Sequence, residues 1–174
     1  MTRIQIRRNG AVDCQACLEI PLAAVSVWGQ IRDFRRFARQ DFFHDVIDVA
    51  GGQLRQGAAL SLVHRYAFIS IRRRGRICWW REGVGYSFSD LSLRGARRGF
   101  PHILSYRIEQ ATEPKACRLI IRVRGRWTAE FVPRSLARIW LWWVFRHVVH
   151  SVENQLLSFG LWRRDRTVPA ITAK

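Results

Sequence analysis

The stretch Cys117-Arg118-Leu119-Ile120-Ile121-Arg122-Val123-Arg124-Gly125-Arg126-Trp127 decides the fold. Leu119, Ile121, Val123 and Trp127 take alternate positions, and Arg118, Arg122, Arg124 and Arg126 oppose them. Successive side chains of a strand point to opposite faces, so the pattern predicts one face on an apolar core and one in water. A half-solvated strand belongs to an antiparallel sheet, because parallel sheets are covered on both faces.

Moving upstream, the turn Thr112–Lys115 leads back to a second alternating segment, Ile103–Glu109, with Leu104, Tyr106 and Ile108 on one face. Before it come Tyr86–Leu91, an Arg- and Gly-rich loop over 93–101, and Phe68–Trp80 with Gly75 as a bend or bulge. Ala58–Tyr66 places Leu60, Leu62, His64 and Tyr66 together, and Asp45–Val49 is closed by Gly51-Gly52. Ala11–Ile20 is the first extended segment. Pro21 then opens a helix through Val25, Trp28 and Ile31. Asp33 caps a second short helix carrying Phe34 and Phe37. Short strands separated by turns read as a meander.

Downstream, Pro133 starts a long helix over Arg134–Phe159. Leu136, Ile139, Trp140, Trp143, His147, Val148, Val152 and Leu156 follow the spacing of a buried face. Leu141, Trp142, Phe145 and Val149 widen the apolar arc, and Trp142 with Phe145 and Val149 falls on the other side, as for a homodimer partner or a membrane surface. The expectation is one domain over 11–160, flanked by basic terminal segments at 1–10 and 161–174.

With 174 residues, 48% hydrophobic and 25% charged, the chain can bury a core. Its net charge of +17 comes almost wholly from arginine, Lys115 and Lys174 being the only lysines. Such an excess suits anionic partners, and equally fits an Arg-rich solvent face spread along the chain. Cys14 and Cys17 have CxxC spacing, but three positions apart on a strand they face opposite ways and cannot grip one ion; with Cys78 and Cys117 they read as buried thiols in a reducing compartment. No secretory signal is visible, and the most apolar run, Ile139–Phe145, falls short of the about 20 residues a span requires. The expected location is cytoplasmic.

One strand, two short helices, a meander and a long final helix resemble the START/Bet v 1-like (SRPBCC) superfamily, in particular its polyketide cyclase/dehydrase-like branch. The matching pieces are Pro21 followed by Val27-Trp28-Gly29-Gln30-Ile31-Arg32-Asp33-Phe34 and Phe37, then Gly57, Arg76-Ile77 with Trp79, Tyr86-Ser87-Phe88, and Gly125-Arg126-Trp127. They run from Cys14 to Phe159. The resemblance implies an α+β helix-grip fold: a curved antiparallel sheet around the long helix, with a cavity between. It also implies a hydrophobic small-molecule ligand, such as a lipid, quinone or polyketide-like compound. Some members cyclise or dehydrate what they bind; no universal catalytic motif exists to carry over.

Alternation nominates the polar groups of such a cavity. His64 and His102 are the candidate general acid/base, with Asp90 orienting and Tyr106 donating to a carbonyl. Taken singly, each of these groups reads first as a satisfied core or rim polar group bonded to backbone, because no fixed spacing ties them together. The expected lining is Leu62, Tyr66, Tyr86, Phe88, Leu104, Tyr106, Ile121, Trp127, Trp143 and His147. No HxH or HExxH pairing occurs, so neither a metal nor a cofactor is expected. Arg72-Arg73-Arg74, with Trp79 and Trp80 close by, and the run from Arg94 to Arg98 raise nucleic acid. No recognised motif accompanies them, which makes it the least favoured partner, behind an anionic membrane surface.

Overall fold

The computed structural model describes residues 2–7, 9–34, 37, 44–66, 69–90, 100–113, 115–128 and 133–165, side chains at 6, 44–47, 65, 66, 69, 71, 134 and 159–165 excepted. The strands are β1 (Thr2–Ile6), β2 (Ala11–Ile20), β3 (His44–Val49), β4 (Ala59–Tyr66), β5 (Ile69–Arg81), β6 (Gly85–Ser89), β7 (His102–Gln110) and β8 (Cys117–Arg126). Helix α1 spans Ala24–Ile31 and α2 spans Arg134–Asp165. The eight strands form one antiparallel sheet in the order β1-β2-β8-β7-β6-β5-β4-β3. The chain therefore has the expected α+β helix-grip architecture, an open antiparallel sheet with a long C-terminal helix packed on it.

β8 behaves as its alternation requires. Cys117, Leu119 and Ile121 are buried, whereas Arg118, Arg124 and Arg126 are exposed. On the wet face Arg122 grips Asp13 of β2 with two hydrogen bonds, Nε to Oδ1 at 2.9 Å and Nη2 to Oδ2 at 2.6 Å. Those bonds hold the Asp13 carboxyl below its ordinary value of 3.8, against the opposing effect of burial. A carboxyl with a lowered folded pKa stabilises above its unfolded value and loses that contribution as pH falls through the folded one. Both side chains are about a third exposed, and solvent screening limits the pair to about 0.5–1 kcal/mol. Asp13→Asn should lose that amount at pH 7 in urea unfolding, and the difference from wild type should close below about pH 4.

Four sequence expectations change. Thr2–Ile6, read only as part of a basic terminal segment, is a paired edge strand with its Ile4 packed against the core. Pro21 sits in a bend, and α1 begins three residues later behind an extended Ala23; its buried face is Val27, Trp28 and Ile31, while Val25 is exposed. The register irregularity in β5 falls between Ile77 and Trp79, not at Gly75. Gly75 answers a different need: a Cβ there would collide with the carbonyl oxygen of Ser89. Of the second short helix, Phe34 and Phe37 are described as helical, with the Phe37 amide donating to the Asp33 carbonyl at 2.8 Å.

The fourth change concerns α2. Its sheet-facing side is Ala137, Leu141, Phe145, Val148, Val149, Val152 and Leu156, all buried. Trp143 and His147, expected on that stripe, are exposed, as are Leu136 and Ile139. Phe145 and Val149, assigned to the outside, face in. The helix is rolled relative to the sequence reading because the broader continuous arc of mid-sized residues fits the sheet, whereas two tryptophans in tandem would not.

Candidate functional site

Between α2 and the sheet lies a small cavity of about 40 Å³. Leu104 and Val123 of the sheet, with Leu141, Val144, Phe145 and Val148 of the helix, make its walls apolar. Cys14 adds a thiol whose pKa burial pushes up to about 12, so it stays protonated and serves as wall. Polarity enters at one end, where His64 and His102 line the space.

Those imidazoles reach the same place for a reason of parity. His64 follows Leu60 and Leu62 on the buried face of β4, and His102 precedes Leu104, Tyr106 and Ile108 on that of β7. Their ring centres are 5.6 Å apart. Asp90, the residue after β6, comes between them: its Oδ1 accepts the His102 backbone N–H at 2.6 Å. Its Oδ2 lies 3.5 Å from His102 Nδ1, 3.7 Å from His64 Nε2 and 3.5 Å from a guanidinium nitrogen of Arg73. These are ion-pair distances, too long for hydrogen bonds, and Oδ2 has no hydrogen-bond partner among the described residues. Asp90 is 1% exposed and Arg73 6%.

The tautomer of His102 is fixed by its neighbour. Nδ1 lies 2.8 Å from the Phe100 carbonyl oxygen, which can only accept, so Nδ1 carries the proton. In the neutral ring Nε2 is then the acceptor. Phe100 stacks on the same ring at 4.9 Å and 13°. Gly125 of β8 makes this corner possible, since a Cβ there would come within 2.8 Å of the His102 Cβ and of the Phe100 ring. Gly75 does the same for the other arm, admitting the Ser89 carbonyl and so seating Asp90 beside Arg73.

Of the expected site residues, His64, His102 and Leu104 line the cavity, and Asp90 stands next to the histidines. Tyr86, Phe88 and Tyr106 point inward as expected but pack in an aromatic cluster with Phe34, Phe37 and Trp80. Leu62 and Ile121 are fully buried core. Trp127 lies at the margin, 6.2 Å from the Phe100 ring and 5.8 Å from Trp140 of α2. Trp143 and His147 pair with each other on the outer face of α2 and are corrected out of the lining. The Tyr66 side chain, the 91–99 segment and the tail after 165 lie outside the described residues.

Sequence reasoning missed Arg73, taking it only as one of the Arg72-Arg73-Arg74 run that raises nucleic acid. The structure turns it inward while Arg72 and Arg74 face solvent. The signal was present: Ile69, Ile71, Arg73, Gly75 and Ile77 share one parity, and Arg73 is the single charge among them. Among the described residues no three His, Cys, Asp or Glu side chains are arranged to hold a metal ion. The cation facing Asp90 is the Arg73 guanidinium.

No protein-family model matches the sequence, and no curated protein does. Solved structures match in three dimensions. A START superfamily protein from Mycobacterium smegmatis superposes with a TM-score of 0.64 at 12% identity, covering 84% of this chain and 98% of that one. A protein from Arthrobacter aurescens gives 0.60 at 12% identity over 91% of each chain. Ara h 8.0201, a Bet v 1 homologue, gives 0.59 at 10% identity over 86% of this chain and 99% of that one. Identities this low speak to fold alone, and the fold they share is the helix grip.

Proposed function

We propose that this chain, whose fold is that of the START/Bet v 1-like (SRPBCC) superfamily, holds a hydrophobic small molecule between α2 and the sheet. The ligand's one polar group meets the His64–His102 pair, with Asp90 and Arg73 behind it. The observation that carries this reading is the polarity of the cavity: its walls are apolar except at one end, where His64 and His102 line it and the buried Asp90 carboxylate stands behind them. Apolar walls supply binding free energy through area removed from water, and a few convergent polar groups set orientation. A lipid, quinone or polyketide-like compound has that division of character.

At about 40 Å³ the cavity has room for a few waters at most, whereas pockets for drug-sized ligands start near about 300 Å³. Binding therefore requires α2 to shift outward from the sheet. The neutral apolar fluorophore N-phenyl-1-naphthylamine tests this. Titration should give saturable fluorescence enhancement, and Val144→Phe, which fills the cavity, should weaken it at least about tenfold. Equal affinity in a folded Val144→Phe variant would place the probe elsewhere and contradict the reading.

His102 favours a second reading, proton transfer on the bound molecule. A ring whose Nδ1–H is committed to a carbonyl has Nε2 as the acceptor of its neutral form, the tautomer that general base work in a cyclase or dehydratase uses.

A further inference from the structure

The outer face of α2 is exposed and apolar where a solvated helix should be polar. Leu136 is 56% exposed, Ile139 64%, Trp142 47% and Trp143 45%. At 3.6 residues per turn these four share one side of the helix, opposite Leu141 and Phe145. Arginines frame them: Arg138 and Arg146 are exposed, and the Arg146 guanidinium lies 5.2 Å over the Trp142 ring. The patch continues onto β1, where Thr2 and Ile4 join Arg138, Ile139 and Trp142 around a depression of about 350 Å³. No Asp or Glu occurs before Asp13 or between Pro133 and Val152.

We infer that this face docks on the surface of an anionic phospholipid membrane. Charge complementarity selects that occupant: arginines on a stretch of helix that carries no carboxylate favour an anionic plane, and a two-fold partner would set the same arginines against each other. The side chains select lipid over nucleic acid. Leu136 and Ile139 have no flat face on which a base could stack, whereas tryptophan and aliphatic residues beside arginine suit the headgroup boundary. No described helix is long and apolar enough to cross a membrane, so α2 lies on the surface. The inference stands on this outer face and does not depend on what the inner cavity holds.

Co-sedimentation of the full chain with phosphatidylcholine vesicles, with and without phosphatidylglycerol, tests it. Binding should require phosphatidylglycerol and fall as salt is raised. Arg138→Gln/Arg146→Gln should lower the partition coefficient roughly thirtyfold at low salt, and Ile139→Ser/Trp143→Ser about tenfold or more. All four side chains are exposed, so circular dichroism and Tm should remain those of wild type. Vesicle binding unchanged in both double variants would overturn the assignment. So would oligonucleotide binding with no vesicle binding, or a dimer in sedimentation equilibrium that Ile139→Ser/Trp143→Ser dissociates.

Discussion

Asp90→Ala is expected to cost about 3–5 kcal/mol of folding stability, a large share of what a domain of this size has. Asp90 is a carboxylate beside Arg73, and both are buried. Removing the anion takes a buried counter-charge away from that guanidinium in a low-dielectric interior, where its desolvation is then less well offset. It also strips the acceptor from the His102 backbone N–H, adding about 1–3 kcal/mol of unsatisfied donor within the same total. Thermal unfolding should fall by on the order of 10 °C. The double variant Asp90→Ala/Arg73→Met should recover most of the loss, because it buries no uncompensated charge. A double variant as unstable as the sum of its single variants would mean that the two residues are not energetically paired.

Tyr86 carries the second large effect. Its side chain is fully buried, its ring lying 5.5 Å from Phe34, 5.7 Å from Trp80 and 5.4 Å from Tyr106. Tyr86→Ala empties the middle of that cluster and should cost about 3–5 kcal/mol. The hydroxyl is a different matter. It has no hydrogen-bond partner among the described residues, and burial pushes its pKa well above the usual phenol range. Deleting a buried hydroxyl that makes no bond removes a desolvation cost, so Tyr86→Phe should be neutral or stabilising by up to about 1 kcal/mol. Urea denaturation measures both. A Tyr86→Phe loss beyond about 2 kcal/mol would show that the hydroxyl is bonded.

The two cases mark where the sequence could be read and where it could not. Strand parity is a period of two with a large contrast, so the inward set of β8 and β7 was legible, and with it His64, His102 and their side of the sheet. Parity says that a residue faces inward; it does not say whether it meets a cavity or a neighbour. Tyr86, Phe88 and Tyr106 are inward and fill the core, a distinction set by Phe34 and Phe37, which follow α1, and by Trp80 of β5. Helix α2 was harder. Leu136, Ile139, Trp142 and Trp143 make it apolar over most of its circumference, and a helix without a polar side gives periodicity no arc to choose. Trp143 and His147 were placed inside for that reason. Arg73 was hidden in a run of three arginines, where composition spoke louder than parity, and β1 in a basic terminus whose Ile4 and Ile6 already alternate.

Enclosure of an apolar molecule remains the claim on which most depends. Native mass spectrometry of the chain purified without detergent reads it directly. The expected spectrum contains a non-protein adduct of lipid-, quinone- or polyketide-like mass that Val144→Phe removes. If His102 also catalyses a dehydration, His102→Ala should retain the unconverted substrate, an adduct heavier by one water. A spectrum of bare chain, in a sample that also fails to bind N-phenyl-1-naphthylamine, would contradict enclosure and leave the space between α2 and the sheet as ordinary core.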